Sequence, residues 1–224
     1  MRRFTAWYRD GAYSPRGRCF DIGEATRAAL ERFARTGDPV AGSTAPDSAG
    51  NGSIMRLAPV ALLAYPDAEA AARLGREQSR TTHAAGECLE SCDLLARILC
   101  AAIAGGGKAA RRQDGWQGGD RLTAIAGGSY ETRTRTDISS SGYVVATLEA
   151  ALWCTARAES FEEALVLAVN LADDADTVGA VTGQVAGAVF GASAIPARWM
   201  AKLAWRERLE QAADRLIKAR LTAD

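Results

Sequence analysis

Histidine is nearly missing from this chain: His83 is the only one in 224 residues. Zinc sites built from several histidines, and catalysis by more than one imidazole, are therefore excluded. Cysteine is also sparse. Cys19, Cys88, Cys92, Cys100 and Cys154 are odd in number and contain no C-x-x-C spacing, so they read as reduced thiols serving as small core residues in a cytoplasmic protein. Cys88 and Cys92 lie one helical turn apart, and Leu95 and Leu99 continue their stripe, which is a packing pattern. Neither sign of charge dominates, because 27 Lys and Arg balance 27 Asp and Glu. That balance argues against binding nucleic acid or a membrane surface through bulk charge. Long apolar runs are absent as well. The stretch from Val178 to Ile195 is short, is interrupted by Thr182 and Gln184, and runs into Pro196. Met1-Arg2-Arg3 leads into Phe4-Thr5-Ala6-Trp7-Tyr8-Arg9 with no apolar h-region, so neither a membrane span nor a signal peptide is expected.

Strand-like alternation is also scarce, and helical spacing fills the chain. The pattern predicts helices over Ile22 to Thr36, Ala58 to Leu63, Ala68 to Leu74, Ala84 to Ala104, Gly142 to Ala156, Phe161 to Leu171, Asp176 to Phe190 and Trp205 to Leu221. Two segments break it. Ala41 to Ser53 is rich in Gly, Ser, Asp and Pro, while Gly105 to Thr136 is Gly-rich at first and polar at its end. A short helix near Asp120 to Ala126 is expected within the latter, since a loop of that length is functional, mobile or partly helical. The pattern implies one compact all-α domain over residues 1–224, with 105–136 as its variable loop region.

The densest chemistry lies in Asp173-Asp174-Ala175-Asp176-Thr177-Val178, which enters a helix carrying Gly179, Gly183, Gly187 and Gly191. Residues i and i+2 lie about 200° apart around a helix. Asp174 and Asp176 converge only if the helix starts between them, and Thr177 then joins them. An all-oxygen cluster of that kind suits Mg²⁺, Mn²⁺ or Ca²⁺. Asp and Thr before a helix are also ordinary N-caps, but three carboxylates exceed the need of one cap. The glycines, four apart, form one stripe that lets another backbone approach closely.

A second motif, Gly50-Asn51-Gly52-Ser53-Ile54-Met55-Arg56, ends the first polar loop. Glycines on both sides of Asn51 allow positive φ, Ser53 can cap the turn after it, and exposed N–H groups suit a phosphate or diphosphate. A plain turn with a cap explains the same residues. His83 reads as a hydrogen-bonding group in the structure or as a functional one. Asp21 reads as an N-cap. Tyr143, in Ser141-Gly142-Tyr143-Val144-Val145, either packs in the core or stacks on a base.

In order along the chain, Cys19-Phe20-Asp21-Ile22-Gly23, Gly50 to Arg56, Thr82-His83, Ser141-Gly142-Tyr143 through Trp153, Asp173 to Gly179, and Ile195-Pro196 with Trp199 resemble the ADP-ribosylglycohydrolase family. The likeness covers about Phe4 to Leu203. It implies a compact all-α orthogonal helical bundle that hydrolyses the bond between C1″ of ADP-ribose and an acceptor. The ligand would be ADP-ribose, or an ADP-ribosylated protein or small molecule, and a pair of Mg²⁺ or Mn²⁺ ions would assist. By the same resemblance Asp174, Asp176 and Thr177 are metal ligands, and Asp21 is the catalytic aspartate near the ribose. Gly50, Asn51, Gly52, Ser53 and Met55 hold the diphosphate side, His83 faces the ligand, and Gly142 with Tyr143 lies on the adenosine side. A monomer is expected.

The family pattern also includes an N-terminal segment of roughly seventy residues with a Thr-Asp-Asp-Thr motif that completes the metal ligands, and the resemblance implies a chain truncated before it. Ala146 stands where an aspartate is common, and Glu24 where an asparagine is. Two functions stay open on these residues: a metal-dependent glycohydrolase, or a non-catalytic remnant that binds ADP-ribose or serves as a structural helical protein.

Overall fold

The computed structural model describes residues 1–221, with side chains to Ala219. Eleven α-helices account for most of them: α1 (Arg2–Asp10), α2 (Glu24–Thr36), α3 (Ala58–Ala64), α4 (Ala68–Arg80), α5 (Gly86–Ala101), α6 (Asp120–Ala126), α7 (Val144–Arg157), α8 (Phe161–Val169), α9 (Ala175–Phe190), α10 (Ala197–Met200) and α11 (Arg206–Leu221). Among the described residues there is no strand. Two isolated bridge pairs occur, Ser43 with His83 and Gly50 with Tyr143.

Two helices are buried on nearly every face. Every residue of α7 from Val144 to Thr155 is buried, and α5 buries Cys88, Cys92, Leu94, Leu95, Ile98, Leu99 and Cys100. A helix apolar all round belongs at the centre of a fold, whereas an amphipathic one covers it. α4 therefore lies along α5, α8 lies along α9, and α9 packs on α7. Buried polar groups on α7 find partners both within the helix and on other segments. Thr155 donates to the carbonyl of Ala151, and Glu149 receives Arg121 at 3.0 Å. All five cysteines are free, and Cys88, Cys92, Cys100 and Cys154 are buried, as core thiols should be.

The helix starts and stops reflect sequence chemistry. Asp67 caps α4 by accepting from the Ala70 amide, and Ser160 caps α8 by accepting from Glu163. The short helix within the variable segment spans Asp120–Ala126, as its pattern predicts. α4 runs six residues past the predicted Leu74, because Arg76, Gln78 and Ser79 find buried or ionic partners on α5 and on the 50–56 segment. α5 stops short of the predicted Ala104 and passes into a wide turn at Ala102–Gly106, where Gly105 takes φ 93°.

The glycine stripe of α9 differs from expectation. A Cβ at Gly179, Gly183 or Gly187 would sit 3.5 Å from Val169 Cγ1, 3.9 Å from Leu165 Cδ1 and 4.0 Å from Phe161 Cε2 respectively. The stripe faces the tips of α8 side chains four residues apart, at ordinary van der Waals distance, rather than a close backbone.

Candidate active site

Asp174 is the residue through which the separated motifs meet. It occupies the N-cap position of α9 at φ −86° and ψ 58°, with the helix starting at Ala175 and Asp176 in its first turn. This is the break between the two carboxylates that their convergence requires. Its side chain makes no capping bond. Instead Asp174 Oδ2 accepts from Asn51 Nδ2 at 2.6 Å, across 123 residues of chain. The same Asn51 amide nitrogen donates to Thr147 Oγ1 at 2.8 Å, and Thr147 Oγ1 donates to the Ser141 carbonyl. The Asp174 amide donates to Ser140, and the Asn51 amide donates to Gly142, each within 3.1 Å. A Cβ on Gly142 would lie 3.5 Å from Asp174 Oδ2. Three chain segments, 50–51, 140–147 and 174, are thus fastened to one another.

The 50–56 turn has a different rationale from the expected one. Neither Gly50 nor Gly52 takes positive φ. Glycine is required at 52 because a Cβ there would stand 2.7 Å from His83 Cε1 and 2.9 Å from Nε2. His83 is 4 % exposed, lies beneath this turn, and shares a 2.7 Å hydrogen bond between Nδ1 and Thr82 Oγ1. Burial, helped by the nearby Arg56 charge, pushes its pKa down to about 4, so the imidazole is neutral near pH 7. Arg56 donates to Gln78 Oε1 at 3.0 Å, to the Gly52 carbonyl at 3.2 Å and to Thr82 Oγ1 at 2.8 Å. Burial lowers its pKa to about 10, which still leaves it charged at neutral pH.

Ser53 does not cap the turn Ile54–Arg56. Its hydroxyl is fully buried, accepts from Ser79 Oγ at 2.8 Å and touches Cys92 Sγ at 3.5 Å. Inward packing won over capping because α4 and α5 offer that hydroxyl partners. The amides of Gly50 and Asn51 are likewise engaged, by Ser48 and Gly142, so this turn is less open to a diphosphate than its sequence suggests.

Tyr143 packs against the edge of the core and is not a free platform. It is partly buried, its hydroxyl donates to Glu87 Oε1, and the Arg121 guanidinium sits 5.6 Å from its ring centroid. Burial, with the bond to Glu87, raises its pKa to about 12. Thr177 is buried, with its hydroxyl 3.9 Å from Met55 Sδ, while Asp173 and Asp176 are exposed. Met55, 42 % exposed, links this patch to a cavity of about 350 Å³. That cavity also takes in Asp21, Phe4, Trp7, Tyr13 and Arg56. Asp21 is exposed at φ 50° and is not the N-cap of α2, which is Gly23.

Asp174, Asp176 and Thr177 offer oxygen donors alone, which is the chemistry of a hard cation. Among the described residues, however, no three His, Cys, Asp or Glu side chains gather into a group able to hold a metal. The set is partial, and a cation here would need further oxygens from water or from outside this group.

The ADP-ribosylglycohydrolase family profile matches residues 1–224. The chain belongs to that family. It is 44% identical over 212 residues to an ADP-ribosylarginine hydrolase, Tri1, of Pseudomonas putida, and 41% identical over 216 residues to the Tri1 of Serratia proteamaculans. These alignments take in 94% and 96% of this chain but 57% and 59% of the relatives, so the chain spans under two thirds of their length. It is 30% identical over 188 residues to the ADP-ribosyl-[dinitrogen reductase] glycohydrolase of Rhodospirillum rubrum, covering 84% of this chain and 62% of that one. A solved structure described as an ADP-ribosylglycohydrolase-related protein complex superposes with a TM-score of 0.79 at 45% identity, covering 88% of this chain and 69% of that one. Membership in the family accounts for the all-α fold.

Sequence reasoning missed Thr147, Glu87 and Arg121, which hold Asn51 and Tyr143 in place. Thr147 lies within the stretch from Ser141 to Trp153 that carries the family likeness, so its position could have drawn notice. Glu87 and Arg121 carry no local signal, because only tertiary packing brings them to Tyr143.

Proposed function

We propose that this chain forms the ADP-ribose-facing part of a hydrolase that cleaves the bond between C1″ of ADP-ribose and an arginine side-chain nitrogen. The hydrogen bond from Asn51 to Asp174 carries this reading, since it joins two polar motifs that have no reason to meet in a purely structural helix bundle. Arginine is taken as the acceptor from the names of the two Tri1 relatives.

In this reading water adds to C1″, the C–N bond breaks, and the departing guanidine keeps the electron pair and takes up a proton. Asp21, exposed and lining the same cavity as Met55, would receive the proton of the attacking water. Asp174, Asp176 and Thr177 would hold Mg²⁺ or Mn²⁺, which would polarise the ribose and the nucleophile. Asn51 keeps the Asp174 carboxylate fixed, and Gly142 gives it room. Tyr143, held by Glu87, would stack on the base. His83, neutral and buried, supports the turn and does not exchange protons near pH 7.

A second reading is binding of ADP-ribose without turnover, favoured by the partial acidic set. Release of ADP-ribose from ADP-ribosylated arginine, measured with and without chelator, separates the two. Chelator-sensitive release that is lost in Asp21→Asn supports hydrolysis. Saturable ADP-ribose binding with no release supports the second reading, and failure to bind ADP-ribose sinks both.

A further inference from the structure

The variable segment buries a charge that the fold leaves uncompensated. Arg111 ends the 3₁₀ turn Gly107–Arg111 and is 6 % exposed. Its Nε and Nη1 are shielded from solvent and have no acceptor, and among the described residues no carboxylate pairs with it. The hydroxyl of Tyr130 beside it is also buried without a partner. Burial raises the pKa of that phenol, and the adjacent Arg111 guanidinium, in loose contact with the hydroxyl, opposes the rise only in part. A buried guanidinium without an acceptor is among the more costly arrangements in a protein interior.

This group borders a cavity of about 370 Å³ whose other walls are Glu131, Ala156 and Arg157. Arg157, at the end of α7, donates one nitrogen to the Arg133 carbonyl and lies 4.8 Å from the Trp153 ring centroid, which holds its plane in place. Glu131 is 3.5 Å from Arg112, which also holds Asp114 at 3.1 Å. Two arginines and one carboxylate therefore line the cavity, that carboxylate is shared with Arg112, and a positive surplus remains. An oxyanion in the cavity would match that surplus through the edge of Arg111 that borders it and through Arg157, each as a charge-assisted contact.

We propose that Arg111 and Arg157 form an anion site for a phosphoryl dianion, either free inorganic phosphate or the head of a small phosphate monoester. The site lies at the C-terminal end of α7, whereas Tyr143 precedes its N-terminal end. At 1.5 Å per residue the two are roughly 20 Å apart, so this is a separate site and does not depend on the proposed reaction.

The test tracks the arginine Nε–Hε NMR signals of the 224-residue chain during titration with phosphate at constant ionic strength, with chloride as control. The Arg111 signal is assigned by its loss in Arg111→Met. The expected result is a saturable shift of the Arg111 and Arg157 signals, together with a rise in thermal midpoint as phosphate increases. Arg157→Gln should weaken binding at least about tenfold, a direct consequence of losing one of two charge-assisted donors. Arg111→Met should abolish it while unfolding, in phosphate-free buffer, no more easily than the parent. Asn51→Ala should leave the response intact. Equal affinity for phosphate and glycerol 3-phosphate would identify the free anion as what is read, and tighter binding of the ester would identify a phosphorylated small molecule. The proposal is overturned if phosphate shifts Arg111 no more than chloride does, if Arg157→Gln leaves the affinity unchanged, or if the response disappears in an Asn51→Ala protein that is still folded. A less stable Arg111→Met with no phosphate response in the parent would make Arg111 a water-satisfied structural residue.

Discussion

The side-chain amide nitrogen of Asn51 serves both Asp174 and Thr147, so Asn51→Ala leaves a partly buried carboxylate without its donor. The expected loss is about 1–3 kcal/mol of stability, with ADP-ribose binding weakened, both read by denaturation and calorimetry. Asn51→Asp is expected to be less stable than Asn51→Ala at pH 7, where two carboxylates would face each other. Equal stability of the two variants would mean that the two side chains do not share the contact. His83 gives a second prediction. Its folded pKa near 4 lies below the ordinary 6.5, so the neutral form is favoured by folding. Above pH 6.5 the residue is neutral in both states and contributes no pH dependence. As pH falls from 6.5 towards 4 the unfolded chain takes up a proton that the native chain refuses. Stability should therefore drop across that window, by up to ~3 kcal/mol. Urea unfolding from pH 7 to pH 4 should show this slope, reduced in His83→Gln. An equal slope in both proteins would place the titration elsewhere.

Helix α9 carries the prediction at the scale of elements. Its glycines meet α8 side chains at ordinary distance, so Gly183→Ala should stabilise the protein by about 0.5–1 kcal/mol through helix propensity. Gly52→Ala should do the reverse, because its new methyl would overlap the His83 ring and that ring is held by Thr82. Thermal melts of the two variants test the contrast. Destabilisation by Gly183→Ala would show that α8 and α9 leave no room for a methyl group there. The same element supplies the metal prediction. With Asp174 at its N-cap and Asp176 in its first turn, the chain should bind Mg²⁺ or Mn²⁺ weakly, and Asp174→Ala should remove that binding. Tight binding unchanged by the substitution, measured by calorimetry, would move the cation site away from α9.

At the scale of the molecule, buried α5 and α7 hold the polar segments 50–56 and 140–147 rigidly enough to keep Asp174 in register. The described residues do not gather three acidic ligands, so turnover by these 224 residues is expected to be slow beside that of a chain of the relatives' full length. Assaying both on ADP-ribosylated arginine checks this. Comparable rates would mean that the partial set suffices.

Most of the element order was legible from the chain alone, because helical spacing and the apolar stripe of α5 are local properties. The start of α9 between Asp174 and Asp176 was legible for the same reason, since two carboxylates two residues apart cannot converge on one helix face. The partner choices were not. Ser53 is a natural cap by type, yet α4 and α5 bury its hydroxyl against Ser79 and Cys92. Gly52 looks like a turn glycine, yet the His83 ring is what excludes a side chain there. Asp174 looks like a cap, yet Asn51 takes its carboxylate from 123 residues away. Local sequence sets which conformations and donors are available. Only the packed helices determine which of them come within about 3 Å of one another, because that distance depends on every side chain between.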